Sequence, residues 1–568
     1  MRRLQPLSLA CAITATALVL RLGGIGIAWL PGAAPIAGAL AAMLVIPRVA
    51  AWHSPDEWRA QLRAHGFAIG LGLIVCLAVL IRVPNIVSDV GRAPLDIDEN
   101  RLAANVAHFF ATGELRHETV EHYPGAVFWL FALSATVGYV GGLTRGLVAG
   151  PTALPVELFV RYARFANVAV GGGIVLFSGL IGRKLAGDRV GLAAAALVAI
   201  MPLSIETTIV VRNDPGMVLA VLASVYCAMV AVDDRRDGWV VASGALAGIA
   251  AGIKYSSVFA IVPGLIAAVV APGGTVRVRR IVRCLVPCVV AVAVTNHFVW
   301  ADFPNFLKQL ADQVAITGRG HWAASDNPAA FYVSVLDRFG PGWPLLCLAA
   351  GFTVAALCGG GARQLTFLGF PLLYLWFMTK RPSQFPRWVF PLVPFVTIAG
   401  LTALSSLLQL AARALPRWSP GRVRVARLAA TAVVAAVLWQ PARAGAVSLS
   451  RHLTTATHVR VEHWVRDHAD GATVIVIEDK WLDLSDAPAT VRRVPDLSAL
   501  LDGGVERLAG ANWVIVPEPN FGHPTLKRLG FVERFHADTT FAGSVGYDYE
   551  IYAIPAIPGV TARAPGSR

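Results

Sequence analysis

The sequence predicts a polytopic α-helical membrane protein of about thirteen transmembrane helices, ending in a small extracytoplasmic α/β domain. Three observations predict it. Apolar stretches near twenty residues recur along the first 445 positions, each about long enough to cross the hydrocarbon core of a bilayer. Only 15% of the 568 residues are charged and 56% are hydrophobic, whereas a soluble domain carries about 25% charge. Beyond residue 445 the pattern changes to short apolar runs between Asp-, Gly- and Pro-rich turns, which is how strands read.

The expected spans are 7–30, 33–50, 66–84, 161–182, 190–211, 215–232, 239–255, 256–272, 281–300, 341–358, 364–378, 388–410 and 428–444. Several contain Gly or Pro, which membrane helices tolerate. Arg2 and Arg3 precede an apolar run as they do in a signal peptide, but the run continues through Leu30 without a clear small-x-small cleavage site. It reads as a retained span. The expected organisation is an N-terminal pair of spans with a cytoplasmic loop (1–65), a main membrane domain (66–445) with an outer loop at 85–160, and an α/β domain with its tail (446–568). No internal repeat stands out.

The formal charge of +14 has a plain cause, because cytoplasmic loops collect Lys and Arg. Arg277, Arg279, Arg280 and Arg283 form one cluster, and Arg413, Arg417, Arg422, Arg424 and Arg427 another. These runs abut spans, which argues against nucleic-acid binding. The stretch 124–142 is apolar enough to cross as well. If it crosses, every later basic cluster moves outside; if it lies at the interface, all of them stay inside. The positive-inside rule selects the second option. Seven cysteines, an odd number, sit in apolar runs and read as small buried hydrophobes rather than disulfides or a zinc site.

In the C-terminal part, 454–469 has helical periodicity with Val461, Trp464 and Val465 on one face. Apolar runs at 473–477, 513–516 and 549–553 read as buried strands.

The same loop parity puts the unusual polar residues of the span ends on the outer side. Asp96, Asp98 and Glu99 follow the third span; acids there also suit a helix N-terminus. Arg212 and Asp214 precede Pro215, which by itself is an ordinary helix start. Lys254 ends an apolar run, where a lysine can snorkel. Lys380, Arg381 and Arg387 lie before Trp388, as an interfacial anchor does. His297, Trp300, Asp302, Arg319 and His321 read as interface or loop-packing residues. Ionisable groups at membrane depth are costly and mark function by default.

In order and spacing these motifs resemble the GT-C glycosyltransferases, in the branch of the protein O-mannosyltransferases and lipid A aminoarabinose transferases. The resemblance rests on Asp98-Glu99-Asn100-Arg101, Thr112-Gly113-Glu114, Glu121-His122-Tyr123-Pro124, Asp214-Pro215, Ile253-Lys254-Tyr255 and Arg387-Trp388. Tyr123 replaces a family Pro, Ile253 stands where Thr is common, and Trp388 takes a Tyr position. It covers most of 66–410. It implies a polyprenyl-phosphate-linked sugar donor and an acceptor that is a glycan, a lipid or a protein, in a bacterial-type inner membrane. It implies Asp98 as general base, Glu99 and Asp214 as catalytic groups, and Lys254, Arg387 and Arg101 at the donor phosphate. Asp96, Glu121, His122, Arg212, His297 and Arg381 are further site candidates. Family members differ in metal use, so a divalent cation on Asp98, Glu99 and Asp214 stays open. A lipid-linked glycan flippase is the alternative, and an assembly protein on an inactive transferase fold is a third reading. The sugar and the exact carrier are open.

Overall fold

The computed structural model describes residues 55–87, 97–113, 125–143, 156–234, 236–270, 274–301, 303–318, 327–414, 420–452, 457–477, 482, 484, 487–494, 510–517, 526, 529–535 and 549–554. The expected spans 7–30 and 33–50 lie outside the described residues. The chain divides into two compact units, Met1–Ile86 with Arg101–Leu449, and Val87–Asn100 with Ser450–Arg568.

The first unit is helical. Its elements are α1 (Pro55–Val87), α2 (Ile97–Thr112, of which it holds Arg101 onward), α3 (Gly125–Leu143), α4 (Val156–Ala186), α5 (Asp188–Ile200), α6 (Pro202–Ile209), α7 (Asn213–Asp234) and α8 (Asp237–Ile253). A 3-10 helix at Tyr255–Ala260 leads into α9 (Ile261–Val269), then α10 (Gly274–Thr295), α11 (His297–Ala301), α12 (Phe303–Gly318), α13 (Pro328–Phe339), α14 (Trp343–Gly359) and α15 (Ala362–Thr379). A second 3-10 helix at Pro386–Leu392 precedes α16 (Val393–Ala414) and α17 (Pro420–His452). Local chemistry sets the boundaries. Pro202 and Pro328 open their helices, where the missing N–H costs nothing. The Asn327 side chain accepts from the Ala330 amide at 3.0 Å. Gly113, at φ 75°, ends α2 in a conformation that side-chain-bearing residues avoid.

Contacts along the helices fix their directions. Arg183 of α4 lies 4.4 Å over the Phe67 ring near the start of α1. Arg82 near the end of α1 binds Thr208, which packs on Gly171 of α4. These two helices are therefore antiparallel. α4 and α7 run parallel: Asn167 donates to Val210 O at 2.5 Å, Phe177 meets Tyr226 at 5.7 Å, and Lys184 pairs with Asp233. α8 and α10 are joined by a glycine seam. A Cβ on Gly244, Gly248 or Gly252 would lie 2.0 Å from Cys284 O, 2.3 Å from Cys288 O or 2.3 Å from Thr295 Oγ1. Small residues at this spacing let two backbones touch.

The bundle thus has two ends of different character. One gathers Lys184, Asp233, Asp237, Arg280, Arg283 and Arg363 in ion pairs. The other holds Asp214, Lys254 and Trp388. α1 leaves the bundle at this second end and α4 enters from it, so the connection between them returns to the end it left.

α3 belongs to that connection. Length and composition place it among the helices able to cross a membrane, and its contacts lie toward the second end of the bundle. Its Gly125 amide donates to Asn296 Oδ1 at 2.8 Å. Leu130 faces Gly216 at the start of α7, and Gly138 and Gly141 rest on Tyr162. α3 therefore runs beside the first turns of α4 and away from the body of α7.

Among the described residues six helices are long and apolar enough to cross, or seven if the bent pair α5–α6 is taken as one. The 190–211 stretch is that pair, bent by 59° at Met201–Pro202. α8, the 255–269 segment and α14 are shorter apolar helices, because Lys254 and Gly360 leave the helical conformation. The expected loop 301–340 contains α12 and α13.

In the second unit, α18 (Thr457–His468) precedes a sheet of β1 (Thr473–Ile477), β2 (Thr490–Val494), β3 (Trp513–Pro517), β4 (Gly530–Phe535) and β5 (Tyr549–Ala553). The strand order is β2-β1-β3-β5-β4. β1 pairs in parallel with β2 and β3, while β5 is antiparallel to β3 and β4. Val461, Trp464 and Val465 of α18 cover one face with Val474, Val476, Ile515 and Ile551. Ile475, Ile477, Val514 and Val516 pack on the other with Leu526 and Leu529. Burial on both faces explains the unbroken apolar runs of β1 and β3.

Candidate functional site

Asp214 lies in the first turn of α7. Pro215 follows it, with a fixed φ that suits a helix start. The residue is buried, at 1% exposed. Lys254 is the turn of a helical hairpin. α8 ends at Ile253, Lys254 alone is extended (φ −154°, ψ 120°), and Tyr255 begins the next helix. That second arm returns along the first, since Gly264 lies against Ser243. A single extended residue at a helix break directs its side chain out of both helical rows. Lys254 Nζ reaches Asp214 Oδ1 at 2.6 Å. The same ammonium stands 5.7 Å over the Trp388 ring, within reach of the ring quadrupole.

Arg387 and Trp388 sit on the 3-10 helix between α15 and α16. Tyr374, buried in α15, donates its hydroxyl to Trp388 O at 2.9 Å. It stands beside Ser256 and within the electrostatic reach of Asp214. Arg212, 3% exposed, lies in the extended link between α6 and α7. The Asp214 carboxylate interacts with Lys254, Arg387 and Arg212, and Arg212 also feels Arg387. These four groups carry three formal positive charges against one negative. Cations grouped in this way and enclosed by helices can meet an anion through charge-assisted hydrogen bonds.

One buried arginine supports the site from below. Arg82 of α1 is fully enclosed. Its Nε donates to Thr208 Oγ1 at 2.7 Å, Nη2 to Ser204 Oγ at 3.0 Å, and Nη1 to Ala199 O at 2.9 Å and Ala78 O at 2.8 Å. These acceptors include the backbone freed at the α5–α6 bend. The guanidinium thereby holds the segment that leads through Val210 to Arg212 and Asp214.

Of the candidates read from sequence, the structure brings together Arg212, Asp214, Lys254 and Arg387. Asp98 and Arg101 lie in α2, their side chains outside the described residues, and Glu99 is buried beside them in the chain. Asp96, Glu121 and His122 lie outside the described residues, as do Asp302, Arg319 and His321. His297 is exposed at the start of α11, its ring 5.8 Å from that of Trp129. Arg381 stacks over Phe377 at 4.6 Å. Among the described residues no group of three His, Cys, Asp or Glu comes together to hold a metal ion. Arg82 and Tyr374 were not singled out by sequence. Arg82 ends an apolar run and looks like an interfacial anchor, and a tyrosine in a span carries no signal by itself.

Comparison with known proteins places these residues in context. The sequence model of the dolichyl-phosphate-mannose-protein mannosyltransferase family matches residues 161–300. That segment contains Arg212, Asp214 and Lys254. A search of curated proteins returns no match. Among solved structures, the archaeal oligosaccharyltransferase AglB from Archaeoglobus fulgidus, in complex with an inhibitory peptide and a dolichol-phosphate, is 11% identical at a TM-score of 0.49. The match covers 86% of this chain and 74% of that one. ArnT from Cupriavidus metallidurans bound to undecaprenyl phosphate is 15% identical at 0.46, covering 87% and 99%. The arabinofuranosyltransferase AftD from Mycobacteria is 15% identical at 0.40, covering 86% and 41%. The chain resembles the GT-C superfamily membrane glycosyltransferases.

Proposed function

We propose that the chain is a glycosyltransferase that moves a sugar from a polyprenyl-phosphate donor to an envelope acceptor at the outer face of the inner membrane. The observation that supports this most is the grouping of Arg212, Lys254 and Arg387 about one buried carboxylate. A lipid phosphate supplies the anion that such a site calls for. The family match over 161–300 supports the same reading. The basic clusters at the opposite end of the bundle fit a cytoplasmic side, which supports an outer position for the Asp214 end; loop charge in the sequence supports an extracytoplasmic C-terminal α/β domain.

In this mechanism Lys254 and Arg387 meet the donor phosphate, and Asp214 holds the Lys254 ammonium in place. The acceptor hydroxyl attacks the anomeric carbon opposite the phosphate. The carbon–oxygen bond to phosphate breaks and its electron pair stays on the phosphate oxygen, stabilised by the cations. The hydroxyl proton passes to Asp98, the general base. Attack from the far side inverts the anomeric carbon. Glu99 serves as a further catalytic group and Arg101 as a further cation for the donor phosphate in this reading.

The α5–α6 bend is a feature that a flippase reading would use, since transporters carry broken helices at their sites. Here Arg82 fills the bend. Purified chain in nanodiscs, supplied with a panel of polyprenyl-phosphate sugars and acceptor extract, is expected to release free polyprenyl phosphate. Lys254→Gln is expected to abolish the release. In a deletion strain, mass spectrometry is expected to find an accumulated prenyl-phosphate sugar and an acceptor one sugar short. Movement of labelled lipid across vesicles with the sugar–phosphate bond intact would overturn the transferase reading in favour of transport.

A further inference from the structure

Beyond the site, one amphipathic element has no assigned role. α10 exposes an apolar row along its second half, with Val286, Val290 and Val294 each more than half exposed. In a membrane protein such a face meets acyl chains. The row continues past the end of α10. Trp300 folds back so that its indole Nε1 donates to Ala293 O at 3.3 Å. Its ring stacks on Phe303 at 6.0 Å and 9°. Phe303 then meets Phe306 at 6.0 Å, and Phe306 meets Tyr255 at 5.8 Å.

α12 extends this surface. At about 3.6 residues per turn, Phe303, Leu307, Leu310 and Val314 share an arc of about 60°. All four are at least one-third exposed. Lys308 and Asp312 occupy the opposite side and are exposed as well. The helix follows directly from the Lys254 end of α10, because Thr295 packs against Gly252.

We propose that α11 and α12 lie along the membrane–water interface, with Phe303, Leu307, Leu310 and Val314 seated in the acyl-chain layer of the bilayer. The occupant is lipid because the apolar row is continuous with the acyl-facing side of α10 and because the polar side is turned opposite to it. Helices of this pattern bind the interface through their apolar face, and Trp300 suits the headgroup level. The proposal rests on the membrane reading alone and stands whether or not the chain transfers sugar. It makes the ring series from Trp300 to Tyr255 a continuous apolar edge between the bilayer surface and the neighbour of Lys254.

The test uses the full chain in nanodiscs, in a background with its seven cysteines replaced by alanine or serine. Nitroxide labels are placed at Leu310→Cys and at Asp312→Cys. The expected result is that the Leu310 label collides severalfold more with oxygen than with a water-soluble nickel chelate, and that the Asp312 label shows the reverse. If both labels prefer the chelate, or if the Leu310 label is shielded from both agents by other protein, the proposal fails. A second measurement avoids labels in α12. Brominated phosphatidylcholine is expected to quench the Trp300 emission, read as the difference between the native chain and Trp300→Phe, and no such quenching would equally overturn it.

Discussion

At one end of the bundle Lys184 and Arg363 meet Asp233, and Arg280 and Arg283 meet Asp237, with both carboxylates partly exposed, Asp237 at 38%. At the other end Lys254 meets Asp214 with the carboxylate 2% exposed. The side-chain chemistry is the same and the energetics are opposite. Ion pairs open to water contribute about 0–1 kcal/mol and tie loops together. A pair enclosed by helices costs more to desolvate than it regains, and losing one partner leaves a stranded charge. The second kind persists where binding or chemistry needs it. Under the proposed function the two ends divide labour: one orients the protein in the membrane, the other works on an anion.

The largest expected effect breaks this contrast. Asp214→Asn is expected to lower transfer by about a hundredfold or more, as loss of electrostatic preorganisation does, and to cost about 3–5 kcal/mol of stability. Asp233→Asn is expected to leave transfer unchanged and cost about 1 kcal/mol or less. Denaturation midpoints and donor turnover, measured on both variants in one detergent, check the pair. Similar losses at the two ends would end the distinction.

Arg82→Met comes next. It deletes a cation that satisfies two hydroxyls and two carbonyls, and each buried group left unpaired costs about 1–3 kcal/mol. A fall in thermal midpoint larger than that of Asp233→Asn is expected. Gly248→Ala is smaller. Its Cβ would press on Cys288 O, so α8 and α10 must part, at about 1–3 kcal/mol. Crosslinking yield between cysteines placed on the two helices reports the separation. Tyr374→Phe removes one hydroxyl that ties α15 to Trp388. It is expected to cost about 1 kcal/mol, and to raise the KM for donor about fivefold while kcat holds. An equal fall in kcat would move Tyr374 from positioning the cations to the chemical step.

Much of the site end was legible because a charged residue in an apolar run is conspicuous. Asp214, Lys254 and Arg387 were found that way, and loop charge indicated that they share an end. Arg82 was not found, since an arginine at the close of a span has an ordinary explanation. The helical lengths were less legible. α17 runs through 33 residues where only 428–444 is apolar, because polar residues extend a helix past the membrane without a break in pattern. In the sheet, β1 and β3 announce themselves by unbroken apolar runs, and β5 by a run interrupted at Glu550. β2 and β4 are edge strands; β2, Thr-Val-Arg-Arg-Val, leaves most of its side chains partly or fully exposed and lacks that signal. Edge strands carry charge to discourage further pairing, and that same charge hides them from a reading based on hydrophobicity.

The hairpin that turns on Lys254 has a consequence for the bilayer itself. The 17 residues of α8 rise about 25 Å at 1.5 Å each, and the hydrocarbon core is about 30 Å thick. A hairpin this short draws its tip below the headgroup plane or thins the leaflet around it. In the second case the phosphorus of a neighbouring lipid and the Lys254 ammonium come to the same depth. A lipid-borne group then reaches the cation by sideways diffusion within its own leaflet, without leaving the membrane.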